Sequence, residues 1–378
     1  MATSTAYGGS VERTPSFLAA LASAGVPGLD PVSVEALPST AEQRFDVGFV
    51  MDTQHRRWVV RAPRDEIAAA EMDRSSAMLG LIARRVPFGV PTPRGFVALK
   101  SGGRAAIYAY LPGHPLDFAA LPPGPGLAAE VGRAIAALHN TDVALFEDAG
   151  LPTYDADDYR SRRLTDVDRA AATGRVPTGL LSRWETALED VALWRFAPVP
   201  THGQLTGDHI LAVFEDPDDA SSGTVRALTG WEQAKVADPA DDFAELVFSA
   251  PSAALETVIE AYAHARVERP DANLLVRARL VSELALLGSL MDAVTRRRLD
   301  IADALTSELR HLEDQLSAQS GDYRQLSLHP VPTRPRPTPP PALLVEDDED
   351  DEDDEDDMDD PDDAAVAGPE GTETKAEA

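Results

Sequence analysis

The feature that most constrains this chain is a change of hydrophobic period near residue 126. Ahead of it, apolar residues come in short runs rich in Val, Phe and Trp: PVSVEAL (31–37), RFDVGFVMD (44–52), RRWVVRAP (56–63) and AAIYAYL (105–111). Runs of that length, parted by turn-forming stretches, read as an antiparallel meander. A helix is expected over 14–24, ended by Gly25, and another over 64–85, with acids first and bases last as a helix dipole favours. The Pro-punctuated stretch 86–99 reads as extended, and SGGR (101–104) as a hairpin turn. Beyond 126 the spacing becomes three and four residues, over 126–141, 178–194, 241–249, 252–267, 273–296 and 299–317, with a mixed-charge helix over 156–169. This order predicts an α+β chain: a flexible start (1–12), a small sheet-plus-helix lobe (13–111) and a larger, mostly helical lobe (112–320).

The fold is expected to stop near residue 320. A Pro-rich linker (321–345) contains HPVPTRPRPTPPP, expected as extended polyproline II. The tail (346–378) opens on EDDEDDEDDEDDMDDPDD, a carboxylate block too self-repulsive to bury, and is expected to be disordered. The tail also distorts the net charge. It holds 19 of the 64 acidic residues and one lysine, so it carries −18 of the total of −30 and the rest of the chain −12. Even that remainder argues against a nucleic-acid partner, because neutralising phosphates takes clustered Lys and Arg. No window approaches the ~18 apolar residues of a membrane span. The start of the chain lacks the basic region of a signal peptide. The chain has no cysteine, which excludes disulfides, thiol nucleophiles and Cys-ligated metals and fits a cytoplasmic protein.

Four stretches carry the residues with chemistry to offer: IYAYLPGHPL (107–116), IAALHNT (135–141), HGQLTGDHIL (202–211) and LTGWEQAKVADPADDFAEL (228–246). In that order they resemble the hinge phrase, the L-H helix end, the H-G-D-L-x-x-x-N loop and the I-D-W…D-P-x-x-D segment of the aminoglycoside/macrolide phosphotransferase family, over about residues 15–317. RWVVRAPR together with VPFGVPTP is similar to the macrolide kinases in particular. The resemblance implies a protein-kinase-like two-lobed fold, ATP or GTP with Mg²⁺ between the lobes, and a small-molecule acceptor bound by the helical lobe. Phosphoryl transfer of that kind needs a cation on the nucleotide phosphates, oxygen ligands for the metal and a group that orients the attacking hydroxyl.

Carried over position by position, the resemblance puts the general base at Gln204, whose amide takes no proton at neutral pH. One metal ligand falls on His209, a poor partner for hard Mg²⁺, and the other on Gly230, which has no side chain. The phosphate-gripping Lys becomes Arg61; its helix Glu falls on Ser75, with Glu71 one turn earlier as a stand-in. Asp208 and Glu232 are the candidate substitute metal ligands. Asp238 and Asp242 are expected to hold the loops by accepting hydrogen bonds, and His202 to be a buried loop anchor. LPSTAEQ (37–43) takes the place of the nucleotide-covering loop and, having no glycine, reads as a plain turn around Ser39 and Thr40. Acid–base groups contribute typically ~10²–10⁴-fold. Replacing the base and both metal positions together therefore points to a ligand-binding or regulatory pseudo-phosphotransferase, with a nucleotide or small molecule in the cleft and no obligatory cofactor. The alternative is an active ATP- or GTP-dependent O-phosphotransferase that uses displaced acids. The Pro-rich and acidic segments add a candidate surface for a protein partner.

Overall fold

The computed structural model describes residues 14–318, apart from 39–42 and 217–218. The Pro-rich linker, the acidic tail, Ser39 and Thr40 lie outside the described residues.

The first helix, α1 (Pro15–Gly25), starts where the Thr14 hydroxyl accepts the Phe17 N–H and a proline fills the first helical position. Strands β1 (Pro31–Ala36), β2 (Phe45–Asp52), β3 (Arg57–Pro63), β4 (Pro93–Ala98) and β5 (Arg104–Ala109) form one antiparallel sheet in the order β1-β2-β3-β5-β4. Helix α2 (Glu66–Ile82) runs between β3 and β4. Because strand side chains alternate between faces, the sheet has two packed sides. On one, Leu18 and Leu21 of α1 meet Val50, Val60 and Ile107. On the other, Phe45, Ala106 and Tyr108 meet Ala68 and Met72 of α2. The β4–β5 hairpin closes as the sequence predicts, with the Leu99 N–H donating to the Gly103 carbonyl at 3.0 Å.

The second lobe is built from α3 (Leu127–His139), α4 (Ala144–Asp148), α5 (Ala156–Ala171), α6 (Thr178–Glu189), α7 (Ala244–Ser249), α8 (Ser252–Ala265), α9 (Leu274–Thr295) and α10 (Leu299–Ala318). Short strands are set among them: β6 (His114–Pro115), β7 (Val199–Thr201), β8 (Ile210–Phe214), β9 (Gly223–Leu228) and β10 (Lys235–Ala237). One core gathers α3, α8, Trp231 and Phe243 together with the end of α2. A second joins α5, α6, α9 and α10 around Trp184 and Trp194. Residue Gly89, just after α2, stitches the lobes: its N–H donates to the Arg226 carbonyl at 2.8 Å and its own carbonyl accepts the Leu228 N–H at 3.0 Å.

Two helix boundaries differ from the expectation. The segment 178–194 leaves the helix at Asp190, and Trp194 folds back so that its indole N–H donates 2.8 Å to the Ala187 carbonyl, one of the orphan acceptors of the last turn. The segment 241–249 is helical, but Pro239–Phe243 is a 3₁₀ turn that passes into α7. No described helix is long and apolar enough to cross a membrane.

Candidate active site

Two strand pairs bring the loops of interest together. β7 lies antiparallel to β10, with Thr201 opposite Lys235, and β8 lies antiparallel to β9, with Ile210 opposite Leu228. The connecting loops, 202–209 and 229–234, therefore run side by side, and the Thr229 N–H donates to the His209 carbonyl at 2.9 Å. Gly203 has φ +82°, and a Cβ there would stand 2.1 Å from the Gln233 carbonyl oxygen. Only glycine meets both the backbone angle and the close approach.

Three buried acids hold this region. Asp242 accepts the backbone N–H of His202 at 2.8 Å and that of Gly203 at 2.7 Å, and lies 3.0 Å from His139 Nε2. Tyr262 completes the chain, its hydroxyl 2.8 Å from His139 Nδ1. Asp238 caps the 3₁₀ turn through the Ala240 N–H and makes a two-pronged pair with Arg277, which also grips Asp271. Asp241 takes Lys235 at 2.8 Å, Arg163 at 3.1 Å and the Tyr159 hydroxyl. Burial pushes the Asp241 carboxyl up, but Lys235 and Arg163 outweigh it and hold the group below the usual carboxylate range.

His202 is fully buried, its ring in tilted contact with Trp231 and with His209, and its Nε2–H donates to the Thr229 carbonyl at 2.7 Å. Burial lowers its pKa to about 4, Asp242 opposing, so the ring is neutral at pH 7. Its Nδ1 is a buried acceptor without a partner among the described residues.

The remaining predicted positions do not gather around a metal. The side chain of Gln204 is exposed, while its carbonyl accepts from His209 Nδ1 at 2.9 Å. Gly230 is left-handed (φ +78°), and a Cβ on it would fall 2.3 Å from both Cδ2 and Nε2 of His209. The imidazole thus fills the room that a side chain at 230 would need. Asp208 is exposed. Arg61 has its guanidinium 4.2 Å above the Phe45 ring and pairs across the lobes with Glu232. The expected helix partner is corrected accordingly: Glu71 pairs with Arg44, and the buried Ser75 donates to the Met72 carbonyl at 3.1 Å. Burial alone would raise the Glu232 carboxyl; Arg61 brings it below its ordinary value.

This donor set does not fit magnesium. Position 230 offers nothing, and His209, its Nδ1–H given to the Gln204 carbonyl, offers only an imidazole nitrogen at Nε2, a poor match for a hard oxygen-seeking cation. Glu232 is spent on Arg61, and both oxygens of Asp242 are spent on backbone N–H groups. Among the described residues, no three His, Asp or Glu side chains are grouped to hold a metal ion. Mg²⁺ asks for hard oxygen ligands in near-octahedral array.

Beside Gln204 a cavity of about 1130 Å³ opens between the loops and helices α5, α7, α9 and α10, with an apolar wall that includes Phe248, Leu284, Leu287 and Met291. None of these side chains carries a local sequence signal, nor do Lys235, Arg163 and Tyr159 around Asp241. Their spacing is ordinary helix and strand spacing, and only the fold converges them. His139 ends α3, and nothing near it in the sequence signals its bond to Asp242.

Residues 17–279 match the phosphotransferase enzyme family. The chain is 27% identical to the uncharacterized protein YcbJ of Bacillus subtilis strain 168 over 206 residues, spanning 53% of this chain and 65% of that protein's length. The fold matches the apoenzyme of macrolide 2′-phosphotransferase MphH from Brachybacterium faecium, with a TM-score of 0.63 and 26% identity, covering 75% of this chain and 93% of that one. It also matches a macrolide 2′-phosphotransferase type I, with a TM-score of 0.64, 23% identity and coverage of 78% and 96%. A third match is the GDP and kanamycin complex of APH(2″)-IIIa, with a TM-score of 0.63, 19% identity and the same coverage. The last two carry the fold alone.

Proposed function

The chain belongs to the phosphotransferase enzyme family, and we propose that within that family it binds a small molecule in the cleft between its lobes without transferring phosphate. The observation that carries this reading is the packing of His209 into the side-chain space of Gly230. It leaves no room for an oxygen ligand at 230 and puts in its place a ring that offers only a nitrogen donor, a poor match for Mg²⁺. The Arg61–Glu232 pair supports it, because it engages Glu232, one of the two candidate substitute metal ligands. Gln204 retains a polar side chain that can orient a ligand hydroxyl but takes no proton from it. The buried acids hold the loop geometry on which such a cleft depends, and that is the role we assign to Asp238, Asp242 and His202. Nucleotide binding, seen in the GDP complex of the APH(2″)-IIIa neighbour, is expected here to be independent of Mg²⁺.

The test is calorimetric and thermal-shift titration of the full chain with ATP and GTP, with and without Mg²⁺, beside a transfer assay on macrolides and aminoglycosides. Equal nucleotide responses in both conditions and no phosphorylated product are expected. A Mg²⁺-dependent response with γ-phosphate transfer to any acceptor overturns the reading and restores the active phosphotransferase.

A further inference from the structure

A second chamber of about 330 Å³ adjoins the large cavity, beneath α2 and against the start of α5. Its charged walls are Arg74, Arg162, Arg163 and Lys235 against Glu71, Asp166 and Glu232. Counted by sign alone they nearly balance. Counted by partner they do not. Glu71 is neutralised by Arg44 and Glu232 by Arg61, both cations from outside the chamber wall. Asp166 lies 3.7 Å from the exposed Arg169 and also acts on Arg163 of the wall. Lys235 and Arg163 share the single carboxylate of Asp241. Neither Arg74 nor Arg162 has a carboxylate partner among the described residues; Arg162 lies 5.4 Å above the Tyr154 ring and both guanidinium groups are exposed. By this count the chamber walls carry an excess of positive charge, in a chain whose residues ahead of the acidic tail carry a net −12.

The two spaces share a boundary, since Arg163, Asp166, Gln233 and Lys235 line both. On one side of it is the wall of Phe248, Leu284, Leu287 and Met291, on the other the basic chamber.

We infer that the ligand is an amphiphilic oxyanion, with a phosphate or carboxylate held in the chamber by Arg74, Arg162 and Lys235 and an apolar body lying along the large cavity. This rests on the ligand-binding reading given above and names the class of ligand. Guanidinium groups suit both oxyanions, because their fork of donors matches two oxygens at once. A polycation meets the opposite field and is disfavoured at the same place.

The experiment compares octyl phosphate, octanoate and octylamine by calorimetry on the full chain, without nucleotide or metal. Each anion is expected to bind at least tenfold more tightly than octylamine, with affinity falling as salt rises. The order of the two anions identifies phosphate or carboxylate as the preferred group. The Arg74→Glu/Arg162→Glu double variant should lose about tenfold or more for the anions at an unchanged melting temperature, both side chains being exposed. Octylamine binding as tightly as the anions, or a double variant that binds the anions as the parent does, overturns the inference. Neither readout measures phosphoryl transfer, so each outcome is separate from the fate of the proposed function.

Discussion

The imidazole of His209 occupies the space that a side chain on Gly230 would enter: a Cβ at 230 would stand 2.3 Å from two ring atoms. The two positions are complementary: the ring sits where it does because position 230 has no side chain. Gly230→Asp combines left-handed backbone strain of about 1–2 kcal/mol with overpacking of about 1–3 kcal/mol. A loss of roughly 2–5 kcal/mol is expected in chemical denaturation. His209→Asn in the same chain removes the ring and should recover the overpacking share, so the double variant is more stable than Gly230→Asp. Additive losses would show that the ring and the empty position are not coupled.

The pair Arg61–Glu232 joins strands of one lobe to the loop of the other. Glu232→Gln leaves Arg61 without its charge partner in a half-buried site, and a cost of about 1–3 kcal/mol is expected. The pH dependence has a definite sign. Glu232 titrates below its ordinary value of 4.5 in the fold, so its contribution is full above that value and declines as pH falls through the lower folded value. Glu232→Gln should flatten the acid limb of a stability–pH curve measured by urea unfolding, leaving the two proteins closer at low pH than at pH 7.

Asp242 is the hub of the loop because it serves two backbone N–H groups and His139 at once. Asp242→Ala strands buried donors, and a loss of about 3–5 kcal/mol is expected. Amide exchange should report it locally, with faster exchange at His202 and Gly203 than in α9. A uniform change across both lobes would mean that Asp242 supports the fold generally rather than this loop.

The sequence was most informative where period decides structure. The meander, the order of helices and the family resemblance all come from local spacing, which side-chain alternation and helical pitch write directly into the chain. The loop positions Gln204, His209 and Gly230 were legible for the same reason, as departures from a short phrase. Partnerships across long separations were not. Arg61 and Glu232 are 171 residues apart, and nothing near Arg61 announces that its carboxylate comes from the loop rather than from α2. The same holds for His139 with Asp242, 103 residues apart, and for the basic chamber, whose arginines come from two helices with ordinary surface patterning. The early end of α6 was hidden because Trp194 continues the apolar spacing while leaving the helix.

His202 provides a pH test of the packed loop. It is buried against Trp231 and His209, its Nε2–H is given to Thr229, and Asp242 and Glu232 are the nearby acids. Burial brings its pKa from 6.5 to about 4, so between those values the unfolded chain binds a proton that the fold refuses. Stability from this group is therefore fully present above about pH 6.5 and is lost as pH falls toward 4, by up to roughly 3 kcal/mol. His202→Gln keeps an amide N–H for the Thr229 carbonyl but does not titrate. Its stability should fall less than the parent's over that window, while the two respond alike between pH 7 and 8. NMR of the parent should show the His202 ring neutral at pH 5.5; an imidazolium there, or parallel curves for parent and variant, would place the buried proton elsewhere.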